Sequence, residues 1–199
     1  MQAITENPWA SLATGLAIAV LALVLWLTTA GADALALIGF LVRFLHIFAA
    51  AVWLGLIVFV NFVQLIAFAG ASEGQRAFMA QAVIPQVANW MRHASTTVVA
   101  SGVLLLFTAG YLLGALTYGA AVYVSPMREG LLWLAVLAAL AMWTMLHMYI
   151  WPAMQVALGL RAGDAEAKQR AAARVRLLAR LNLILAVPVL FAMVAAAHL

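Results

Sequence analysis

Four histidines are the residues of this sequence with the clearest capacity for chemistry. His46, His93, His147 and His198 each fall in a different apolar stretch, and none of them lies in a polar loop. Imidazole nitrogen binds haem iron and transition metals. An ionisable residue inside a membrane span is a functional candidate, although a single histidine near a helix end is more often an interfacial or hydrogen-bonded residue than a ligand. A haem or metal site is therefore the first hypothesis.

The segments that carry these histidines are long enough and apolar enough to cross a membrane. Hydrophobic residues make up 68% of the 199 residues and charged residues 8%, and the mean hydropathy is +1.12. A soluble domain has about half apolar residues, whereas one membrane span needs about 20 in a row. We predict an all-α integral membrane protein, a single domain over 1–199 that forms a bundle of about five transmembrane helices in lipid. The predicted spans are residues 8–30, 35–69, 88–116, 128–155 and 176–199, with a polar loop over residues 70–85.

The basic residues predict the orientation of this bundle. Arg43 and Arg128 lie on one side of the membrane, and the other eight of the ten Lys and Arg residues share a side with the N-terminus. Those eight are Arg76, Arg92, Arg161, Lys168, Arg170, Arg174, Arg176 and Arg180. Because cytoplasmic loops carry the excess of basic residues, we expect a bacterial inner-membrane protein with a cytoplasmic N-terminus and a periplasmic C-terminus. Topology thereby explains the net charge of +4, and no nucleic-acid partner is expected.

His46 and His198 are predicted to share a level in the outer half of the membrane. At a rise of about 1.5 Å per helical residue, His46 lies roughly 5 Å inside the outer boundary that Arg43 marks. His198 lies about 27 Å from Arg180 at the inner boundary. Two antiparallel helices would then offer one imidazole each at equal depth, which is the arrangement needed for both axial ligands of one haem iron.

His93 and His147 are predicted to share a second level in the inner half. His93 directly follows Arg92, and His147 lies about 28 Å from Arg128 at the outer boundary. The sequence has no cysteine, which excludes covalent attachment of a c-type haem and leaves non-covalent haem b. We therefore predict two haems b, each held by two histidines.

The function predicted from these sites is electron transfer through part of the membrane. A di-haem b-type cytochrome would pass electrons from the quinone pool or the inner leaflet to a periplasmic acceptor, either a cytochrome c or another respiratory subunit. Arg43, Arg92 and Arg180 are candidates to pair with haem propionates, and a bound quinone is a candidate second cofactor. The prediction is an electron-transfer subunit rather than a stand-alone enzyme, with no catalytic residue assigned.

Two other functions stay open at this point. A membrane-bound oxidase acting on urate or a porphyrin would need polar side chains within the spans. The available ones are Asn61, Gln64, Gln155 and Asn182, which we expect to make interhelical hydrogen bonds. A copper transport protein would use methionine ligands, but the nine methionines are scattered as packing residues are.

Short motifs from Arg43 onward have counterparts in one known family. These motifs are Arg43-Phe44-Leu45-His46-Ile47 with Trp53-Leu54-Gly55, Asn89-Trp90-Met91-Arg92 with Ser101-Gly102-Val103-Leu104-Leu105-Leu106, and Pro188-Val189-Leu190-Phe191 with Met193 and His198. They resemble the membrane domain of the bacterial membrane-bound urate hydroxylases, in which the first two motifs read R-W-L-H-I and W-I-G. The resemblance implies a helical membrane domain that acts in urate oxidation, with His46 and His198 as the ligands carried over.

The sequence also departs from that family. His93 and His147 have no counterpart in the family pattern, and the spacing from Pro188 to His198 is one residue longer. Members usually carry a cytochrome c domain after the last span, and none follows here within the 199 residues. The Leu-His-Ile motif at His46 is similar, too, to the oxygen-independent protoporphyrinogen oxidases, which usually have Lys in place of Arg43, and to the copper-resistance D membrane proteins.

Overall fold

The computed structural model shows a helical chain and describes residues 6–31, 34–108, 111–112 and 126–198. No strand occurs in those ranges, so the all-α prediction is confirmed. The α-helices are α1 (Pro8–Ala30), α2 (Ala34–Phe59), α3 (Leu65–Gly70), α4 (Glu73–Phe78), α5 (Ile84–Thr108), α6 (Pro126–Thr144), α7 (Trp151–Ala157) and α8 (Ala165–His198). Three π-helical segments join some of them: π1 (Val60–Gln64), π2 (Met79–Val83) and π3 (Met145–Ile150).

Four helical stretches are long and apolar enough to cross a membrane. They cover Pro8–Thr29, Ala36–Gly70, Met127–Ala157 and Ala165–His198, and each overlaps a predicted span. The fifth long helix is α5, and the outer end of its predicted span, 88–116, lies partly outside the described residues. The chain is therefore an all-α, multi-pass membrane protein whose exposed apolar side chains contact lipid.

The segment predicted as a polar loop, residues 70–85, is mostly helical, so that prediction is wrong. Only Ala71 and Ser72 separate α3 from α4. Ser72 begins α4 with a capping box, in which its backbone N–H donates to Gln75 Oε1 at 2.9 Å. A capping box satisfies amide groups that the first turn leaves unpaired, so these polar residues begin a helix.

The π segments explain how two prolines fit into continuous helices. Pro85 lies two residues after the end of π2, and Pro152 lies two residues after the end of π3. Proline has no N–H to donate to the helical ladder, and a π segment already changes the register of that ladder. The fourth span therefore continues through Pro152 to its end at Ala157.

The chain divides into two compact units, Met1–Phe40 and Leu41–Leu199, and the single-domain prediction stays a prediction. In the first unit, Asn7 caps α1 by accepting the Trp9 backbone N–H at 2.9 Å, as asparagine commonly does at a helix start. Gly31 follows the helix with φ 61°, in the left-handed region that glycine adopts without strain. No residue in the apolar window of α1 is buried, so this helix offers its surface to lipid.

In the second unit, a core forms where α2, α5, α6, π3 and α8 pack together. Its largest fully buried apolar side chains are Trp53, Ile57, Met142 and Leu146. Helix α8 is continuous over 34 residues, so the basic stretch before the last predicted span belongs to the same helix as that span. The buried alanines of α8 allow close helix packing, which stabilises bundles in lipid.

Candidate functional site

His46, on α2, packs against one serine and one glycine of α5. Its Nδ1 atom lies 3.1 Å from Ser101 Oγ. A Cβ atom added at Gly102 would lie 3.2 Å from His46 Cε1, which is tighter than an ordinary van der Waals contact. The absence of a side chain at Gly102 therefore lets α5 approach the half-buried imidazole, while the serine hydroxyl holds the ring from the same helix.

The hydrogen bonds of Ser101 decide which nitrogen of His46 carries the proton. The Ser101 hydroxyl donates to the backbone carbonyl of Thr97, so its oxygen remains to accept a hydrogen bond. We therefore assign the proton to His46 Nδ1, which leaves a free lone pair on Nε2. Metal-binding histidines usually have their other nitrogen held by a neighbouring group in this way.

His198 has the same arrangement at the end of α8. Its Nδ1 atom lies 2.7 Å from the backbone carbonyl oxygen of Val194, and a carbonyl oxygen can only accept, so Nε2 again has the free lone pair. The side chain is exposed. No hydrogen bond or ring contact joins two of the four histidines within the described ranges, and the pairing of His46 with His198 stays a prediction.

His147, in π3, differs because both of its nitrogens have partners. Nδ1 donates to the Trp143 backbone carbonyl at 3.0 Å, and Nε2 lies 3.3 Å from Thr96 Oγ1. That oxygen accepts from Trp143 Nε1 at 3.1 Å, so the threonine hydroxyl proton points to His147. The Trp143 and His147 rings stack, with their centroids 4.5 Å apart. Binding of an iron at His147 Nε2 would require Thr96 to turn away.

His93 lies near the residue that contacts His147. It is exposed on α5, three residues before Thr96, and residues three apart lie on one helix face. His93 and the residue that His147 contacts thus lie on one face of α5, although ligation of one haem by His93 and His147 stays a prediction. Among the described residues, no group of three or more His, Cys, Asp or Glu side chains could hold a metal ion; a bis-histidine haem needs only two.

The two histidine levels lie closer together than the rise per residue predicts. His46 contacts α5 at Ser101 and His147 contacts it at Thr96, and these contact points are about 7.5 Å apart along the helix. The predicted depths differ by roughly 23 Å. The main error lies in taking Arg43 as the outer boundary, since α2 begins nine residues before it and so extends about 13 Å further.

The three arginines considered for haem propionates have different surroundings. The Arg92 guanidinium lies 4.9 Å from the centre of the Trp151 ring. Arg180 Nη1 donates to the backbone carbonyl of Asn61 at 3.2 Å. Arg43 is exposed on α2. A role with propionates stays a prediction for all three.

A cavity of about 170 Å³ lies at a different place in the second unit, and the sequence did not predict it. We call it the amide cavity because Asn61, Gln64 and Asn182 line it together with apolar side chains. Each of these three residues is at most 6% exposed, and each has a side-chain oxygen without a hydrogen-bond partner in the part of the chain that the structure describes.

The expectation that the intramembrane amides make interhelical hydrogen bonds is confirmed for one of them. Asn61 Nδ2 donates to the carbonyl of Ala179 on α8 at 3.2 Å, and also to Ile57 at 2.8 Å. The sequence signal for the cavity was present in the three-residue spacing of Asn61 and Gln64, which puts both side chains on one helix face. What the sequence lacked was any indication that their oxygens would remain unpaired.

In the comparisons with known proteins, no family model, no curated protein and no solved structure matches the chain. The histidines and the amide cavity are therefore the features that bear on function, and the resemblance to urate hydroxylases stays a prediction.

Proposed function

We propose that this chain is a b-type membrane cytochrome that passes electrons from the quinone pool or the inner leaflet to a periplasmic acceptor such as cytochrome c. The observation that carries the proposal is the environment of His46. A membrane-embedded imidazole has its Nδ1 held by Ser101, its ring position limited by Gly102, and its Nε2 lone pair left for a ligand bond. A histidine with a purely structural role would more commonly have both nitrogens satisfied, as His147 has.

The donor set fits a haem iron. Imidazole is a common axial ligand, and the absence of cysteine restricts the group to non-covalent haem b. His46 and His198 form the proposed outer ligand pair, and both have a protonated Nδ1. His93 and His147 form the proposed inner pair, which has weaker support because Thr96 occupies His147 Nε2.

In this proposal the haem supplies one-electron chemistry, and the protein supplies position and insulation. Ser101 holds the Nδ1–H tautomer of His46, which would leave Nε2 to bind a haem iron. The apolar side chains around the bundle exclude water and keep the ligands in a medium of low polarity, which is one of the factors that tune reduction potential. The excess of basic residues on the N-terminal side supports a cytoplasmic position for that side, and the end of α8 with His198 would then face the periplasmic acceptor.

An oxidase acting on urate or a porphyrin is the second candidate function. The amide cavity favours it to the extent that it provides polar groups inside the membrane. A copper transport function has no comparable support.

The haem content of the purified protein tests the proposal. The full chain would be produced with haem supplied, purified in detergent, reduced with dithionite and extracted for a haem-to-protein ratio. We expect b-type absorption bands and about two haems per chain, or about one if only the outer pair binds. A colourless protein under these conditions would refute the cytochrome proposal and leave the oxidase candidate to be tested with substrate.

A further inference from the structure

The amide cavity has the size of a single aromatic ring. Its volume is about 170 Å³, and an apolar cavity of about 150 Å³ in another protein holds one benzene molecule. Apolar side chains such as Ile57, Met91 and Leu146 form most of its lining. A ring with apolar faces would therefore fit between these side chains.

The polar part of the lining offers hydrogen-bond acceptors. The orientation of the Asn61 amide is fixed, because Nδ2 donates to the carbonyls of Ile57 and Ala179. A flipped amide would instead bring its oxygen against those two carbonyl oxygens. Asn61 Oδ1 is therefore the atom left over, and it is buried without a partner among the described residues. Gln64 Oε1 and Asn182 Oδ1 are buried and unpaired in the same way.

Two π-helical segments, π1 and π3, contribute buried residues to the lining of the amide cavity. Asn61 and Gln64 are the buried residues of π1, and Leu146 and Ile150 are the buried residues of π3. All four line the cavity. π-Helical turns are rare and occur frequently at functional sites. Two of them meeting at one cavity, with unpaired acceptors in the lining, indicates a binding site rather than a defect of packing.

The charged residues that line the amide cavity limit which kinds of ligand it can bind. No acidic residue lines the cavity, and Arg176 is its one charged lining residue among those described. Ala69 and Arg176 are exposed lining residues, so the cavity reaches the surface at the basic end of the bundle. Unpaired amide oxygens repel an anion and accept from hydroxyl groups. The favoured occupant is thus neutral, ring-shaped and hydroxylated.

We propose that the amide cavity binds the hydroxylated ring of a membrane-soluble quinol, with Asn61 Oδ1 accepting a hydrogen bond from a ring hydroxyl. A quinol combines one six-membered ring, two hydroxyl donors and an apolar tail that can extend into lipid. Binding at this site does not depend on a haem. A role of the bound quinol as electron donor would rest on the proposed function.

The test measures binding of three probes to the full chain in lipid nanodiscs by calorimetry, with empty nanodiscs as the background. The probes are a decyl-substituted benzoquinol, its dimethyl ether and the corresponding quinone. We expect saturable binding of the quinol and at least tenfold weaker binding of the ether and of the quinone, which keep the ring and tail but have no hydroxyl donor. Equal binding of quinol and ether, or no saturable binding of either, would overturn the proposal; the first result would indicate that the cavity takes up apolar chains such as lipid tails.

Variants locate the binding at the cavity. Asn61→Leu and Gln64→Leu should each lower quinol affinity at least tenfold, whereas Asn89→Leu, at an exposed position of α5 outside the cavity lining, should leave it unchanged. Gln64→Leu keeps the test decisive if loss of the Asn61 bonds prevents folding. Unchanged affinity in a folded Gln64→Leu or Asn61→Leu protein would overturn the proposal. Saturable quinol binding by a colourless protein would support this site while refuting the cytochrome.

Discussion

The contact of Ser101 with His46 should determine how tightly His46 binds a haem iron, and Ser101→Ala isolates that effect. The substitution removes the oxygen that accepts from His46 Nδ1, 3.1 Å away. It leaves the Val98 backbone as the remaining hydrogen-bond partner of the ring, and the loss of one hydrogen bond typically costs about 0.5–1.5 kcal/mol. It also removes the group that fixes the tautomer and orientation of the ring, and loss of such a partner typically lowers metal affinity about 10–100-fold. We expect haem affinity to fall by that factor in Ser101→Ala.

Ser95→Ala is the matched control. Ser95 is also a buried serine on α5 whose hydroxyl donates to a backbone carbonyl of its own helix, that of Arg92. Hydroxyl bonds of this local kind contribute little to helix stability, so the Ser95 variant should lower the unfolding free energy by no more than about 1 kcal/mol. The assay is haem titration of haem-free protein in detergent, followed at the haem absorption maximum, together with denaturant unfolding. Equal haem affinities in the two variants would refute the positioning role of Ser101.

Three further predictions concern the neighbouring features. Gly102→Ala should weaken haem binding, because its Cβ would lie 3.2 Å from His46 Cε1. Gly55→Ala, at a position with open space around it, should leave haem binding intact and stabilise α2 by about 0.5–1 kcal/mol. An equal loss of haem in both variants would contradict the close approach of α5 to His46. Thr96→Val removes the hydroxyl next to His147 Nε2. If His147 is a haem ligand, this variant should keep or raise the haem content. A loss of haem equal to that of His147→Ala would count against the inner pair. Alkaline phosphatase, which needs disulfides that form only outside the cytoplasm, should be active when fused after Leu199 and inactive when inserted between Gly163 and Asp164. The reverse pattern would invert the proposed direction of electron flow.

The membrane spans could be predicted from the sequence because hydropathy alone determines them. Three of the five predicted spans, 8–30, 35–69 and 128–155, agree with the helical stretches to within two residues. The last helix, α8, begins at Ala165, well before the predicted start of its span at residue 176. The helix from Glu73 was missed although its signal was present, since Ser72 and Gln75 form the S-x-x-Q pattern of a capping box. The polar composition of residues 70–85 is also typical of a loop, which conceals this pattern.

The site was predictable only at the level of residue types. The histidines were identified as candidates from their occurrence in apolar segments, but their levels were not, because Arg43 lies well inside α2 rather than at its end. The amide cavity depends on π1 and π3, and π segments have no sequence pattern comparable to a capping box. The contact of His46 with Ser101 joins residues that are 55 positions apart, which the hydropathy of either helix does not predict.

The reduced-minus-oxidised absorption spectrum of the wild-type protein, recorded beside that of His46→Ala, tests the central claim most directly. The proposal predicts the sharp α-band of a low-spin, bis-imidazole haem b in the wild type. The variant, which lacks one axial ligand, should lose that component of the spectrum. A wild-type spectrum without haem bands, or a His46→Ala spectrum identical to a haem-containing wild type, would contradict the assignment of His46 as a haem ligand.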